Sequence, residues 1–154
     1  TAQIMTGYLG NPEATAETIT TDGWLRTGDL GRMDDGGFVY VLDRIKDMIV
    51  SGGENVYSAE VENAIMKHPS VSQCAVIGIP NDQWGESVHA AVVLKPGCQL
   101  TFEELVDHCR SLIAGYKCPR SIEFKNELPI SATGKLQKHR LRENFWKQGE
   151  RRVN

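Results

Sequence analysis

The chain has 154 residues, 40% of them hydrophobic, enough to bury one ordinary core and too few for two. Its 17 Lys and Arg stand against 20 Asp and Glu, a formal net charge of -3, so no overall field draws it to nucleic acid or an acidic membrane. Cys74, Cys98, Cys109 and Cys118 are dispersed, without a Cys-x-x-Cys pair or a histidine at zinc-ligand spacing, which excludes a zinc ribbon and a thiol redox motif.

No apolar run approaches the ~20 residues that span a bilayer, and the start has no basic-then-apolar signal pattern. These features lead us to expect a soluble, cytoplasmic protein with reduced thiols and no transmembrane segment. Residues 1–6 open without an initiator methionine or a capping pattern, as the middle of a longer polypeptide would. A strand is expected over 24–33, then the turn Asp34-Asp35-Gly36-Gly37 and a second strand over 38–42, because Asp and Gly supply the positive φ angles of a hairpin. The charged break Asp43-Arg44-Ile45-Lys46-Asp47 marks a domain boundary.

Beyond it, 48–50 reads as a short strand and Ser51-Gly52-Gly53 as a loop. Ser58 is expected to cap a helix over 59–67 whose buried face is Val61, Ala64 and Ile65. Two buried strands over 71–79 and 88–94 flank a polar turn around Asn81, Asp82 and Gly85. The helix over 102–114 is the best marked, with a capping box from Thr101 to Glu104 and a stripe of Leu105, Cys109, Leu112 and Ile113. A strand over 122–125 and a closing helix over 137–146 complete an α+β fold, a three-stranded sheet with about three helices.

Thr27-Gly28-Asp29-Leu30 ends a strand with an exposed carboxylate beside a flexible glycine, a geometry that suits hydrogen bonds from a ribose diol. By itself it reads more readily as an Asp that begins a turn, and Asp43-Arg44 by itself as a solvated ion pair worth ~0–1 kcal/mol. The ordered combination says more. Gly23-Trp24-Leu25-Arg26-Thr27-Gly28-Asp29, Asp43-Arg44-Ile45-Lys46, Gly52-Gly53-Glu54-Asn55 and Pro129-Ile130-Ser131-Ala132-Thr133-Gly134-Lys135 resemble, in that order, the adenylate-forming family of acyl-CoA synthetases, luciferases and peptide-synthetase adenylation domains. The match runs from about Gly7 to Leu141.

The resemblance implies a role for each matching residue. Asp29 and Arg44 would bind the ribose of ATP or acyl-adenylate, Lys46 would be the hinge of a mobile cap, and Lys135 would contact the acyl carboxylate and α-phosphate oxygens. Gly52 and Gly53, with Glu54, would line a passage for the pantetheine thiol of CoA; paired glycines also make plain turns. The loop over 50–62 resembles that of fatty-acyl-CoA ligases, which favours CoA over a carrier protein. Tyr116, Lys117 and Arg120 are the expected outer contacts of the CoA nucleotide, through stacking and phosphate pairing. Cys118 departs from relatives that carry Arg there. Asp82, Trp84, Gly85 and Glu86 match a further family stretch and read as turn and packing residues, with Trp84 near the domain interface. His68, His89, His108 and His139 have no ligand spacing.

The implied partners are a carboxylic (fatty) acid, ATP with Mg2+, and CoA, together with the enzyme's own large N-terminal domain, which would also hold the metal. Residues 1–43 would be the distal β segment of that domain, 44–148 the C-terminal cap and 149–154 a tail. No metal ligand set and no nucleic-acid contact is expected, and the oligomeric state is open. With no Ser/Thr/Gly-rich phosphate loop and no acyl tunnel, the chain alone is expected not to turn over substrate. Two alternatives stand: a luciferase-like or peptide-synthetase member, and a non-catalytic module that binds nucleotide or a protein partner.

Overall fold

The computed structural model describes residues 3–146. It opens with α1, Pro12–Thr18, an element absent from the expectations above. Local chemistry starts it: the Asn11 side chain accepts from the Ala14 amide at 3.0 Å, and Pro12 sits in the first turn, where a missing N–H is harmless. The strand expected over 24–33 shortens to β1, Asp29–Met33; upstream, Leu25 makes only an isolated bridge to Ile19. β2, Val39–Arg44, returns antiparallel and sets Arg44 opposite Asp29. Asp34 closes the turn by accepting from the Phe38 amide, the Tyr40 hydroxyl and the Gly36 amide, which together hold its carboxyl below the usual range. Met33, Phe38, Val39 and Val41 of this hairpin remain exposed.

The rest is α+β, as expected, but its sheet has five strands rather than three. They are β3 (Ile49–Ser51), β4 (Glu54–Val56), β5 (Val71–Asn81), β6 (Gly85–Leu94) and β7 (Ser121–Phe124). The difference lies in the segment read as a loop. Gly52 and Gly53 have φ of 62° and 84°, the pair of positive angles that a two-residue turn between twisted antiparallel strands requires, so β3 and β4 form a hairpin. β5 covers one edge of β6 from Val71 opposite Leu94 to Asn81 opposite Gly85. The other edge is shared, with Ser51 of β3 against Gly85 and β7 running parallel beside His89 to Val92.

Alternation along β5 and β6 explains why both strands read as continuous apolar runs. Val76, Val88, Ala90 and Val92 join one core with Val61, Ile65, Leu105 and Cys109, whereas Ala75, Ile77 and Ala91 join a second with Leu128 and Leu141. The first core lies under α2 (Ser58–Met66) and α3 (Phe102–Arg110), the second under the C-terminal segment that ends in α4 (Lys138–Arg142). Full burial of a side chain such as Ile65 or Leu105 contributes ~1.5–3 kcal/mol. The Lys135 loop therefore sits on a buried base.

The two later helices are shorter than expected, whereas α2 keeps its expected length, shifted by one residue. α3 keeps its capping box but ends at Arg110, leaving Leu112 exposed, and α4 stops at Arg142 rather than 146. Ser58 does not cap α2. The N-cap is Tyr57, which has no side-chain cap bond, and the buried Ser58 hydroxyl instead donates to Asp43 Oδ2 at 2.8 Å, an oxygen that also accepts from the Ala59 amide at 3.3 Å. A carboxylate brought from outside the helix has taken over the capping role. Among the described residues, no helix is long and apolar enough to cross a membrane.

Candidate functional site

The hairpin register makes Asp29 and Arg44 neighbours: the Arg44 guanidinium lies 3.6 Å from the Asp29 carboxylate, with both side chains open to solvent. Lys46 follows in a 3-10 turn, Ile45–Asp47, between β2 and β3. Lys135 reaches the same region from the far end of the chain. Its loop is a tight reversal: the Ser131 amide donates to the Lys135 carbonyl at 2.8 Å, the Ser131 hydroxyl accepts from the Lys135 amide at 3.1 Å, and Gly134 has φ of 78°. Arg44, Lys46, Asp47, Lys135, Lys138, His139 and Arg142 line one open cleft of about 340 Å3.

Within this basic cleft the cations differ in kind. Lys138 is 13% exposed and pairs with Glu62 at 2.7 Å, and Arg142, 12% exposed, pairs with Asp47. They tie the C-terminal segment to α2 and to the 3-10 turn, respectively. Lys135 is exposed, and among the described residues no carboxylate pairs with it. Its ammonium is thus presented to solvent on a short, internally hydrogen-bonded loop, next to the two hairpin residues that could bind a nucleotide.

Gly52 and Gly53 belong to another surface. A Cβ on Gly52 would lie 2.7 Å from Trp84 Cε3, so the indole ring packs directly on the bare backbone. The Gly52 amide donates to the Trp84 carbonyl at 2.9 Å, and Arg120 stacks on the indole with its guanidinium carbon 4.8 Å from the ring centroid. Trp84, read from sequence as a packing residue of a turn, is the link between two of the expected CoA contacts. The clue lay in its position three residues after Asn81, whose side chain accepts from the Trp84 amide at 2.9 Å and fixes the turn. Glu86, 7% exposed, accepts from the Val50 amide at 2.9 Å and holds β3 in place.

The other expected CoA contacts are divided. Glu54 is exposed at the start of β4, and Tyr116 is exposed. Lys117 instead makes a bidentate contact with Glu60 at 2.7 and 2.8 Å, and that hydrogen bond raises its pKa. A cation held this way has less to offer a phosphate than Arg120 has. Cys118 is buried, with its thiol directed at the Ala114 carbonyl, and burial pushes that thiol up. Cys74 is pushed up to about 12 and Cys109 to about 11, both mainly by burial, so neither is a nucleophile.

Three histidines, His68, His89 and His108, pack within the fold, whereas His139 is exposed in the cleft of Lys135. His68 and His108 meet edge to face at 5.0 Å, and the largely buried His89 ring contacts Ser121 Oγ at 2.8 Å through Nδ1. Among the described residues no group of three His, Cys, Asp or Glu is placed to hold a metal ion.

The chain is similar to known proteins over most of its length. Residues 60–135 match the family described as AMP-binding enzyme C-terminal domain. Feruloyl-CoA synthase of Amycolatopsis sp is 48% identical over 142 residues, which is 92% of this chain and 29% of that protein. A fatty acid–acyl-carrier-protein ligase of Streptomyces coeruleorubidus is 44% identical over 97% of this chain and 29% of its own. The structure of o-succinylbenzoate CoA synthetase from Bacillus subtilis, in complex with its acyl-adenylate intermediate, superposes with a TM-score of 0.84 at 38% identity, over 98% of this chain and 29% of that one. The chain thus spans under a third of the length of these relatives.

Proposed function

We propose, from the premise that this chain belongs to the AMP-binding enzyme C-terminal domain family, that it forms part of an ATP-dependent carboxylic acid–CoA ligase. In this reading residues 1–43 are the distal β segment of a large nucleotide-binding domain, 44–148 are a mobile cap and 149–154 a tail. The exposed apolar side chains of the β1–β2 hairpin support such a division, since they suit packing on further polypeptide.

The reaction has two steps. A carboxylate oxygen of the acid attacks the α-phosphorus of ATP and pyrophosphate leaves; the thiol of CoA then attacks the acyl carbon, loses its proton and displaces AMP. The first step gains from a cation beside the α-phosphate, the second from an open path at the same carbon, and one fixed surface does not offer both. Lys135 serves the first, with Asp29 and Arg44 on the ribose; Gly52 and Gly53, flanked by Trp84 and Arg120, serve the second after rotation about Lys46. Mg2+ would bind with the ATP phosphates and the remainder of the enzyme, where it supplies charge neutralisation.

The observation that carries this reading is the exposed Lys135 ammonium in one cleft with Arg44 and Lys46, while its cationic neighbours Lys138 and Arg142 have carboxylates of their own. Its test is Lys135→Ala in the intact enzyme. Adenylation, read by pyrophosphate exchange, should fall by about 100- to 1000-fold, the usual effect of removing one preorganised charge-stabilising donor, whereas CoA thioester formation from supplied acyl-adenylate should persist. Equal loss in both steps would contradict the assignment.

A second acceptor has support in the 44% identity to a fatty acid–acyl-carrier-protein ligase, because a carrier protein presents the same pantetheine thiol. Thioester assays with CoA and with a loaded carrier protein separate the two.

A further inference from the structure

The turn that carries Lys46 has a carboxylate anchor on each side, and the two are not equivalent. Asp47 pairs with Arg142, and both residues follow Lys46, so their ion pair travels with the cap in any rotation about the turn. Asp43 precedes Lys46, yet its carboxylate reaches across the turn to the Ser58 hydroxyl at 2.8 Å and the Ala59 amide at 3.3 Å. Rotation about Lys46 changes the relation of β2 to α2. It therefore breaks the Asp43 contact and leaves the Asp47 contact whole.

The contact is well built. Ser58 is fully buried, and its oxygen also accepts from Lys138 Nζ at 2.8 Å, whose ammonium pairs with Glu62. Glu62 in turn accepts from the Val76 amide at 2.8 Å in the central sheet. A hydrogen-bonded chain thus runs from Asp43 through Ser58 and Lys138 to Glu62, and the same Lys138 lines the cleft of Lys135. Asp43 Oδ1 accepts from the Arg44 amide at 2.8 Å, which couples the anchor to the nucleotide-binding residue beside it.

We infer that Asp43 is a positioning residue: docked on Ser58 and the N-terminus of α2, it holds the cap in the arrangement that presents Lys135 beside Arg44, and it releases when Gly52 and Gly53 take that place. The inference rests on the two-step ligase reading. It assigns to the aspartate before Arg44 a bias between half-reactions rather than a contact with substrate.

The test uses the intact enzyme and the variants Asp43→Ala and Ser58→Ala, which break the same contact from opposite sides; Ser58→Ala does so without touching the nucleotide strand. Pyrophosphate exchange reports adenylation, and CoA thioester formation from supplied acyl-adenylate reports the second step. Each variant should lower the ratio of the first rate to the second by about three- to tenfold, in line with the loss of one helix cap. The double variant should do no more than Asp43→Ala alone. Proportionate loss of both steps, an unchanged ratio in Ser58→Ala, or effects that multiply in the double variant would overturn the inference. If Asp43→Ala does not fold, Ser58→Ala decides the matter. A wild-type enzyme that performs neither half-reaction overturns the ligase reading itself, which the variants cannot mimic.

Discussion

Gly52→Ala and Gly53→Ala form a matched pair that isolates the packing of Trp84. Both glycines have positive φ, 62° and 84°, so either alanine carries a left-handed backbone cost of ~1–2 kcal/mol. Only Gly52 has a neighbour to displace: an added Cβ meets Trp84 Cε3 at 2.7 Å and Cζ3 at 3.2 Å, whereas nothing lies within 4 Å of a Cβ on Gly53. The indole cannot simply retreat. Its backbone is held by the Gly52 amide and the Asn81 side chain, and Arg120 stacks on its ring. Such overpacking adds ~1–3 kcal/mol, and at about 2–4 °C per kcal/mol for a chain of this size Gly52→Ala should melt roughly 2–12 °C below Gly53→Ala. Thermal melts of the 154-residue chain, repeated in a Trp84→Leu background, provide the assay. There the extra penalty of Gly52→Ala should shrink toward that of Gly53→Ala. Equal melting of the two alanine variants, or an extra penalty that survives loss of the indole, would refute the packing argument.

Lys46→Pro fixes φ at about -65° in the turn proposed as the hinge, so adenylation should survive within a few-fold while thioester formation falls about tenfold or more. A variant with both steps intact would remove the hinge from Lys46. His89 offers a pH test on the chain alone. Burial lowers its pKa, so the stability it supports is present above the unfolded value of about 6.5 and is lost as pH falls from there through the lowered folded value. Stability measured by urea unfolding should therefore decline from pH 7 to 5, and His89→Gln should flatten that decline. His68, lowered first by burial and then by His108, contributes in the same direction, so part of the slope should remain.

Local chemistry was legible wherever one residue type has one good use. The Thr101–Glu104 capping box predicted α3 and was found, and the apolar runs of β5 and β6 were found as strands. Asn11-Pro12 carries an equally local signal for α1, a cap residue followed by a proline in the first turn. The glycine pair at 52 and 53 suits a loop by composition, yet two positive φ angles are also what closes a two-residue hairpin. Ser58 was the instructive error. A serine before an apolar stripe ordinarily caps its helix, but here its hydroxyl is turned to a carboxylate fifteen residues upstream. No local pattern reports that choice.

At the site the same division holds. Motif order brought Asp29, Arg44, Lys46 and Lys135 together on paper, and the fold gathers Arg44, Lys46 and Lys135 in one cleft with Asp29 paired to Arg44. Which cations remain available was a different matter, because it depends on partners distant in the chain. Glu60 claims Lys117, Glu62 claims Lys138 and Asp47 claims Arg142.

The amino-acid order alone determined the class of fold and the family resemblance, because propensity, turn chemistry and motif spacing act over a few residues. Only the tertiary structure decided which charges are spent on the protein itself and which face solvent, that Trp84 covers Gly52, and that Asp43 reaches Ser58 across the Ile45–Asp47 turn. Those outcomes depend on pairings across 15 to 95 positions of chain. Distance and burial, rather than residue type, settle whether a charge is neutralised, and neither exists until the chain has folded.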